Sequence, residues 1–356
     1  MASARGRIAS VDALRGLTVA AMILVNNPGD WGHVWWPLEH AAWNGCTPTD
    51  LIFPMFLFLV GTSLALAGGP RLDSGADTTA LQRAWLWRAA RIVGLGLLLH
   101  LVAHLALGTP AFRVMGVLQR IGLCFGVVGV VYLHSTAGQR WALWAALLLG
   151  YGALLAGNGP LTETGSIAAR WDAQLLGLHA YRFDVATGLG HEPEGLLSTL
   201  GALATTLLGL ACGEWLRHRC AQTLAVAAAA LLLGGGLAQG WLPWNKALWT
   251  PSYVLWAGGW SCLALLAAHF AVDRWGAPPI GRRFGVNAIT AYAGAWLMSC
   301  LLDGSGWGGP LYRAGFAWIT PWTGPVWPSH LWALAGVVIW WGVVRWMDSR
   351  RLVITI

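Results

Sequence analysis

The chain has 356 residues, of which 56% are hydrophobic and only 10% charged, with 25 tryptophans and a formal net charge of +7. A soluble globular domain carries about 25% charged residues, so this composition excludes a disordered chain, a disulfide scaffold and a water-soluble enzyme of several small domains. It leaves an all-α, polytopic integral membrane protein, and the basic residues form no amphipathic or aromatic-interleaved face of the kind that binds nucleic acid.

A span takes about 20 mostly apolar residues, because a helix rises about 1.5 Å per residue across a hydrocarbon core about 30 Å thick. Ten stretches qualify: 14–29, 50–68, 89–107, 114–134, 141–157, 196–215, 221–241, 251–272, 284–302 and 329–347. No small-residue cleavage site follows the first, so it reads as a retained span. The largest non-membrane segment is 158–195, with Asp172, Asp184, His191, Glu192 and Glu194. The Trp-, Pro- and Gly-rich stretch 305–328 has room for a short re-entrant or interfacial piece. The whole of 1–356 is expected to form one transmembrane domain.

Orientation follows from Lys and Arg. With the N-terminus inside, sixteen fall on inner segments: Arg5, Arg7, Arg15, Arg71, Arg83, Arg88, Arg91, Arg140, Arg217, Arg219, Arg274, Arg282, Arg283, Arg345, Arg350 and Arg351. Five fall outside (Arg113, Arg170, Arg182, Lys246 and Arg313), and Arg120 lies within a span. Both termini are therefore expected in the cytoplasm. The six cysteines include no CxxC and no Cys/His spacing suited to zinc, so no metal is expected.

Polar residues in or beside hydrocarbon are costly, which makes them functional candidates. Asn26-Asn27-Pro28-Gly29 ends the first span, and Glu39-His40 through Thr49-Asp50 leads into the second. Thr49 or Asp50 is suited to cap that second helix, whereas His40, in a Trp-rich loop, has no such structural duty. Arg113 reads as a residue snorkelling at a helix end. Gln119 and Arg120 lie deeper, and an unpaired guanidinium there requires water, an acidic partner or an anionic ligand. Glu192 and Glu194 open the sixth span, where acids complement a helix N-terminus. Lys246 opens the eighth span, and Asn287 sits within the ninth, nearer the inner face. His33, His100, His104, His134, His218 and His330 read as interfacial or loop residues.

Six stretches resemble, in order, the heparan-α-glucosaminide N-acetyltransferase family: RIASVDALRGLTVAAMILVNN (7–27), LEHAAWNGCTPTDLIFPMFLFLVG (38–61), RVMGVLQRIG (113–122), EPEGLLSTL (192–200), NKALWTPSY (245–253) and GVNAITAY (285–292). They span nearly the whole chain. The lumenal domain and extra first span of the lysosomal enzyme are not matched, so the chain looks like the compact bacterial form, expected in the bacterial inner membrane. The resemblance implies an integral-membrane acyltransferase that takes acetyl from cytosolic acetyl-CoA, its co-substrate, and delivers it to an amino sugar across the bilayer. The family's active-site histidine matches His40 in its HAxWNG setting, and its asparagine at the end of the preceding helix matches Asn26. The family's DPEG reads EPEG here, with Glu192 in place of Asp. Where the lysosomal enzyme continues GMNSxxxYxGHE, this chain has Gly294-Ala295-Trp296, so no role for that second histidine carries over.

Imidazole, with an ordinary pKa of about 6.5, suits a base working near neutrality. His40 is thus expected either to deprotonate the acceptor or to carry the acetyl group, and the direct route is preferred because no second base lies at short spacing. Asn26 is suited to orient the imidazole or to donate to the oxyanion. Arg120 and Lys246 are candidates for anionic groups of the cofactor, and Gln119, Glu194, Asp50 and Asn287 for the sugar. On the cytosolic side Arg15 and Arg282, with Arg7, Arg88, Arg91 and Arg283, are candidates for nucleotide phosphates, although topology alone accounts for most of them. A competing reading is an amino-sugar permease without chemistry, and a third is O-acetylation of a surface glycan. The stretch 305–346 suits either a homodimer contact or lipid.

Overall fold

A computed structural model of the chain describes residues 8–354. Arg5 and Arg7 fall outside the described residues. In chain order the helices are α1 (Ala9–Val25), α2 (Ile52–Asp73), α3 (Thr78–Leu107), α4 (Val117–His134), α5 (Ala137–Gly157), α6 (Ile167–Leu176) and α7 (Thr199–Arg217). They continue with α8 (Ala221–Ala238), α9 (Pro251–Ala268), α10 (Arg282–Val286), α11 (Ala288–Gly304), α12 (Gly308–Gly315), α13 (Thr320–Thr323) and α14 (Val326–Ser349). A short antiparallel hairpin, β1 (Arg182–Asp184) with β2 (Leu189–His191), lies between α6 and α7. The protein is an all-α polytopic membrane protein with a single small hairpin among the described residues.

Among the described residues, eight helices are long and apolar enough to cross a membrane: α2 with the turn before it, α3, α4, α5, α7, α8, α9 with the π turn after it, and α14. The expected count was ten. The first and ninth expected spans are α1 and α11, each of 17 residues, at the lower end of the roughly 17–25 that cross a bilayer. Asn26, Asn27 and Pro28 stop α1 early, and a non-helical backbone at Asn287 (φ −112°, ψ 37°) separates α11 from α10. Before α14 begins at Val326, the stretch 305–328 holds α12, a 3-10 turn and α13, all too short to cross.

The centre of the bundle is the parallel pair α2 and α7. A Cβ on Gly61 would lie 1.9 Å from the Thr206 carbonyl oxygen, and one on Gly209 would lie 1.9 Å from that of Phe58. Glycine is therefore what allows these two backbones to touch, the usual device of membrane helices. Thr62 sits in the seam, its hydroxyl 3.0 Å from both the Phe58 and Gly209 carbonyls. The outer helices show the opposite pattern: Leu105 on α3, Leu149 on α5 and Val226 and Leu233 on α8 are exposed, as lipid-facing side chains are.

Because the long helices alternate in direction, the bundle has two unlike ends. One carries His40 and the 158–198 segment. The other gathers the arginines, with Arg140 on Glu214, Arg217 on Asp73 and Arg283 on Asp348.

Candidate active site

The loop between α1 and α2 is stapled at several points. Near its start, the Gly29 amide donates to the Ser329 carbonyl (3.1 Å) and Trp35 stacks on His330 at 4.6 Å, fixing it to α14. Near its end, the Gly45 amide donates to the Trp244 carbonyl at 2.7 Å. The buried Asn245 side chain donates to the Trp43 carbonyl and to Asn44 Oδ1, each at 3.1 Å. The loops carrying His40 and Lys246 are thus tied to one another.

Asp50 is where sequence reasoning needs correcting. The residue capping the turn before α2 is Thr47, not Thr49 or Asp50; Thr49 instead donates its hydroxyl to the Pro37 carbonyl at 3.0 Å. Asp50, almost fully buried, folds back under His40. Its Oδ1 accepts from His40 Nδ1 at 2.7 Å, and its Oδ2 accepts from the Ala41 and Thr47 amides at 3.0 and 3.1 Å. Tyr253 Oη donates to the Asp50 carbonyl at 2.5 Å and anchors the same residue from α9. A carboxylate at Nδ1 places the ring proton there and leaves the lone pair on Nε2. The His40 side chain is 42% exposed, so that lone pair is reachable.

Lys246 completes the cluster. Its Nζ lies 3.0 Å from His40 Nδ1, 3.4 Å from Nε2 and 3.5 Å from Asp50 Oδ1. Burial works to lower its pKa, opposed by Asp50 and Glu194. Burial also pushes the nearby Cys46 thiol up to about 12, which leaves it protonated and a poor nucleophile.

Behind this cluster lies an ionic knot. Arg113 Nε donates to Glu192 Oε2 at 3.0 Å, and Nη2 donates to Glu192 Oε1 and, at 2.5 Å, to Glu194 Oε2. Arg113 is therefore a bidentate partner of buried acids, not a residue snorkelling at a helix end. Glu192 and Glu194 pair with it and do not cap α7, which begins later, at Thr199. Burial raises the Glu192 pKa in spite of Arg113. Burial would also raise Glu194, but Arg113, Arg120 and Lys246 together hold it below the ordinary carboxylate value. Burial opposes the charge on Arg113, yet Glu194 and Glu192 keep its pKa above normal.

Arg120 is wholly buried. Among the described residues it makes no hydrogen bond to a carboxylate: Nη2 donates to the Gly195 carbonyl (3.0 Å) and Ser198 Oγ (2.5 Å), and the guanidinium lies 5.1 Å from the Trp249 ring centre. Gln119 donates to the Val114 carbonyl at 3.0 Å. Among the described residues, Arg120 Nε and Nη1 and Gln119 Oε1 have no hydrogen-bond partner.

The fold thus brings together His40, Asp50 and Lys246, with Glu194 close behind and Gln119 and Arg120 in its support. It does not bring in the rest. Asn26 is exposed at the C-cap of α1, and no hydrogen bond among the described residues joins its side chain to His40. Asn287 lies at the arginine end, where its carboxamide donates to the Leu352 carbonyl (3.4 Å) and accepts from the Ile354 amide (3.3 Å). It clamps the C-terminal segment 352–354 and is out of reach of a sugar beside His40, because the break before α11 falls at the far end of the bundle.

Arg15 and Arg282 also lie at the arginine end, in two different cavities. A cavity of about 270 Å³ is lined by Arg15, Arg88, Ser63 and apolar residues that include Phe56 and Ile121. Another of about 590 Å³ is lined by Arg282, Arg283 and Arg351. Arg15 Nε donates to the Gly285 carbonyl at 2.8 Å and Nη1 to Ser63 Oγ at 3.3 Å. The first cavity follows α2 from Ala67 to Phe56, about 16 Å at 1.5 Å per residue, and Phe56 is about another 10 Å from Asp50. Ser63 carried no signal in the sequence, being one more small residue in an apolar run.

The sequence matches the family model described as "Heparan-alpha-glucosaminide N-acetyltransferase, catalytic" over residues 7–237. It is 29% identical over 356 residues to the heparan-alpha-glucosaminide N-acetyltransferase of Mus musculus, covering 82% of this chain and 54% of that protein. With the protein of the same name from Homo sapiens it is 28% identical over 352 residues, covering 81% and 52%. The chain spans about half the length of these curated relatives. With its matched residues extending over most of the eight-helix core and including His40, Asp50 and the Glu192–Glu194 acids, the chain belongs to the heparan-alpha-glucosaminide N-acetyltransferase family.

Proposed function

We propose that the protein is a transmembrane acetyltransferase that moves acetyl from cytosolic acetyl-CoA to an amino sugar or sugar on the periplasmic side, with His40 as general base. One observation carries the reading: a buried carboxylate, Asp50, holds Nδ1 of a partly exposed imidazole at 2.7 Å, which turns the Nε2 lone pair outward. That is how a base is held in one tautomer and one orientation. The relatives, named as N-acetyltransferases, support acetyl transfer as the chemistry.

The cavity at Arg15 and Arg88 supports entry of the donor from the arginine end, which the positive-inside rule assigns to the cytosol. Its two guanidinium groups, of which Arg15 is ion-paired to Asp12 in the same lining, suit phosphate-bearing groups, and its apolar inner wall suits a slender arm reaching toward Asp50. The acceptor then lies beside His40, with Glu194 and Asp50 as the nearest acids to meet its amine or hydroxyl groups. The exposed flanks of the outer helices place the protein in a lipid bilayer, proposed to be the bacterial inner membrane.

Thiol release from acetyl-CoA by the purified protein, with glucosamine as first acceptor, tests the reading. Wild-type protein should liberate CoA, and His40→Ala should lower the rate by about 1,000-fold or more without loss of thermal stability. No CoA release with any sugar tried, together with amino-sugar flux into vesicles lacking acetyl-CoA, would show a permease instead.

A further inference from the structure

We infer that Lys246 holds the oxyanion that forms on the acetyl carbonyl, a role for which the sequence nominated Asn26. The inference rests on the acetyltransferase reading of His40. In that reaction the acceptor amine's lone pair bonds to the thioester carbon, and the carbonyl π pair moves onto oxygen. The nitrogen loses a proton to Nε2 of His40. The oxygen pair then re-forms the carbonyl, the carbon–sulfur bond breaks, and the departing thiolate takes the proton from Nε2. Atoms and charge balance with the amide and free thiol as products, and the group still required is a cation for the oxygen.

Lys246 is placed for that work. Its ammonium stands beside the imidazole, 3.0 Å from Nδ1 and 3.4 Å from Nε2, the ring atom that handles the proton. With the thioester seated over Nε2, this ammonium is within reach of the carbonyl oxygen. Of the neighbouring cations, Arg113 is paired with Glu192 and Glu194, and Arg120 is wholly buried, its Nη2 on Gly195 and Ser198 and its face on Trp249, whereas the Lys246 side chain is 26% exposed. Asn26 makes no bond to His40 and is exposed at the end of α1.

The lysine also stands on a rigid base, which is what distinguishes transition-state stabilisation from solvation by a mobile side chain. Asn245, next to it, is fully buried and reaches across to Trp43 and Asn44, while its own Oδ1 accepts from the Leu248 amide at 2.8 Å. The Trp249 amide closes a turn on the Lys246 carbonyl at 3.2 Å, and Trp249 itself takes a left-handed conformation (φ 51°). Asp50, 3.5 Å from the ammonium, and Glu194 favour its charged form and offset part of the larger lowering of its pKa by burial. The earlier expectation, that Lys246 meets anionic groups of the cofactor, fits this placement poorly, because the arginine-lined cavities open at the other end.

The test compares Lys246→Met, Lys246→Arg and Asn26→Ala in the thiol-release assay, with melting temperature and CoA-induced thermal shift measured on each. Lys246→Met should lower kcat by about 100- to 1,000-fold, the usual cost of a lost oxyanion donor, with the KM for acetyl-CoA and the CoA-induced shift close to wild type. Lys246→Arg should recover part of the loss, and Asn26→Ala should lose less than Lys246→Met. An unchanged kcat in Lys246→Met, a loss confined to the KM for acetyl-CoA, or a larger loss in Asn26→Ala overturns the inference. If methionine destabilises the loop, Lys246→Gln replaces it with the same kcat loss expected. Failure of wild-type protein to release CoA would sink the acetyltransferase reading itself. An active wild type, a silent His40→Ala and a fully active Lys246→Met would sink only the role of Lys246.

Discussion

The two ends of the bundle both gather charge, and they use it in opposite ways. At the His40 end, charges are buried and locked: Glu192 is fully enclosed, Asp50 nearly so, and each acid meets two or more donors. At the arginine end, Arg140–Glu214 is also largely enclosed, but other charges line cavities or face solvent, and the Arg283–Asp348 pair is 48% and 55% exposed. On the proposed function, the difference separates two tasks. Moving a proton requires groups held to within tenths of an ångström, whereas admitting a charged ligand requires room and a favourable field. Burial serves the first and would defeat the second.

The sharpest way to break this contrast is Asp50→Asn, which keeps the shape of the side chain and removes the charge beneath His40. Turnover in the thiol-release assay should fall by about 100- to 10,000-fold, and a fall of less than threefold would mean that Asp50 only shapes the loop. Next in size is stability. Arg113→Ala leaves Glu192 buried without its cation, at a cost of about 3–5 kcal/mol, whereas Arg283→Ala removes an exposed pair and should cost about 0–1 kcal/mol. Melting temperatures of the two variants check this directly, and equal losses would erase the distinction between the ends. The smallest effect is expected from Arg15→Gln, which should raise the KM for acetyl-CoA about tenfold, equivalent to about 1.4 kcal/mol, with a lesser effect on kcat. A change in kcat alone would place Arg15 outside the donor's path.

Much of the architecture was legible in the chain, because a helix that faces lipid has to advertise its apolar length. All ten apolar runs are helices, and the two that fall short of the others, α1 and α11, do so where Asn26-Asn27-Pro28 and Asn287 interrupt them. His40 was legible through its motif. Its partners were harder to read. Asp50 lies ten residues on, a spacing with no periodicity, and its position before a helix made capping the natural reading until the loop was seen to fold back. Arg113 stood near a helix end and so resembled a snorkelling residue; its acids lie 79 and 81 residues away, beyond any local pattern. Asn287 misled for the converse reason: a polar break in an apolar run signals a special position without saying which partner it serves.

What the sequence by itself determined was the class of protein, the number of apolar segments and the gathering of most arginines at one end, since each depends on composition and on spacing along one helix. What only the tertiary structure decided was which polar groups share a site. Lys246 stands 206 residues from His40, and their contact follows from two loops joined through Asn245, Trp43, Gly45 and Trp244. Hydrogen bonds act over about 3 Å and register nothing in the sequence between their partners, so the triad of His40, Asp50 and Lys246 exists only once the helices have brought those loops together.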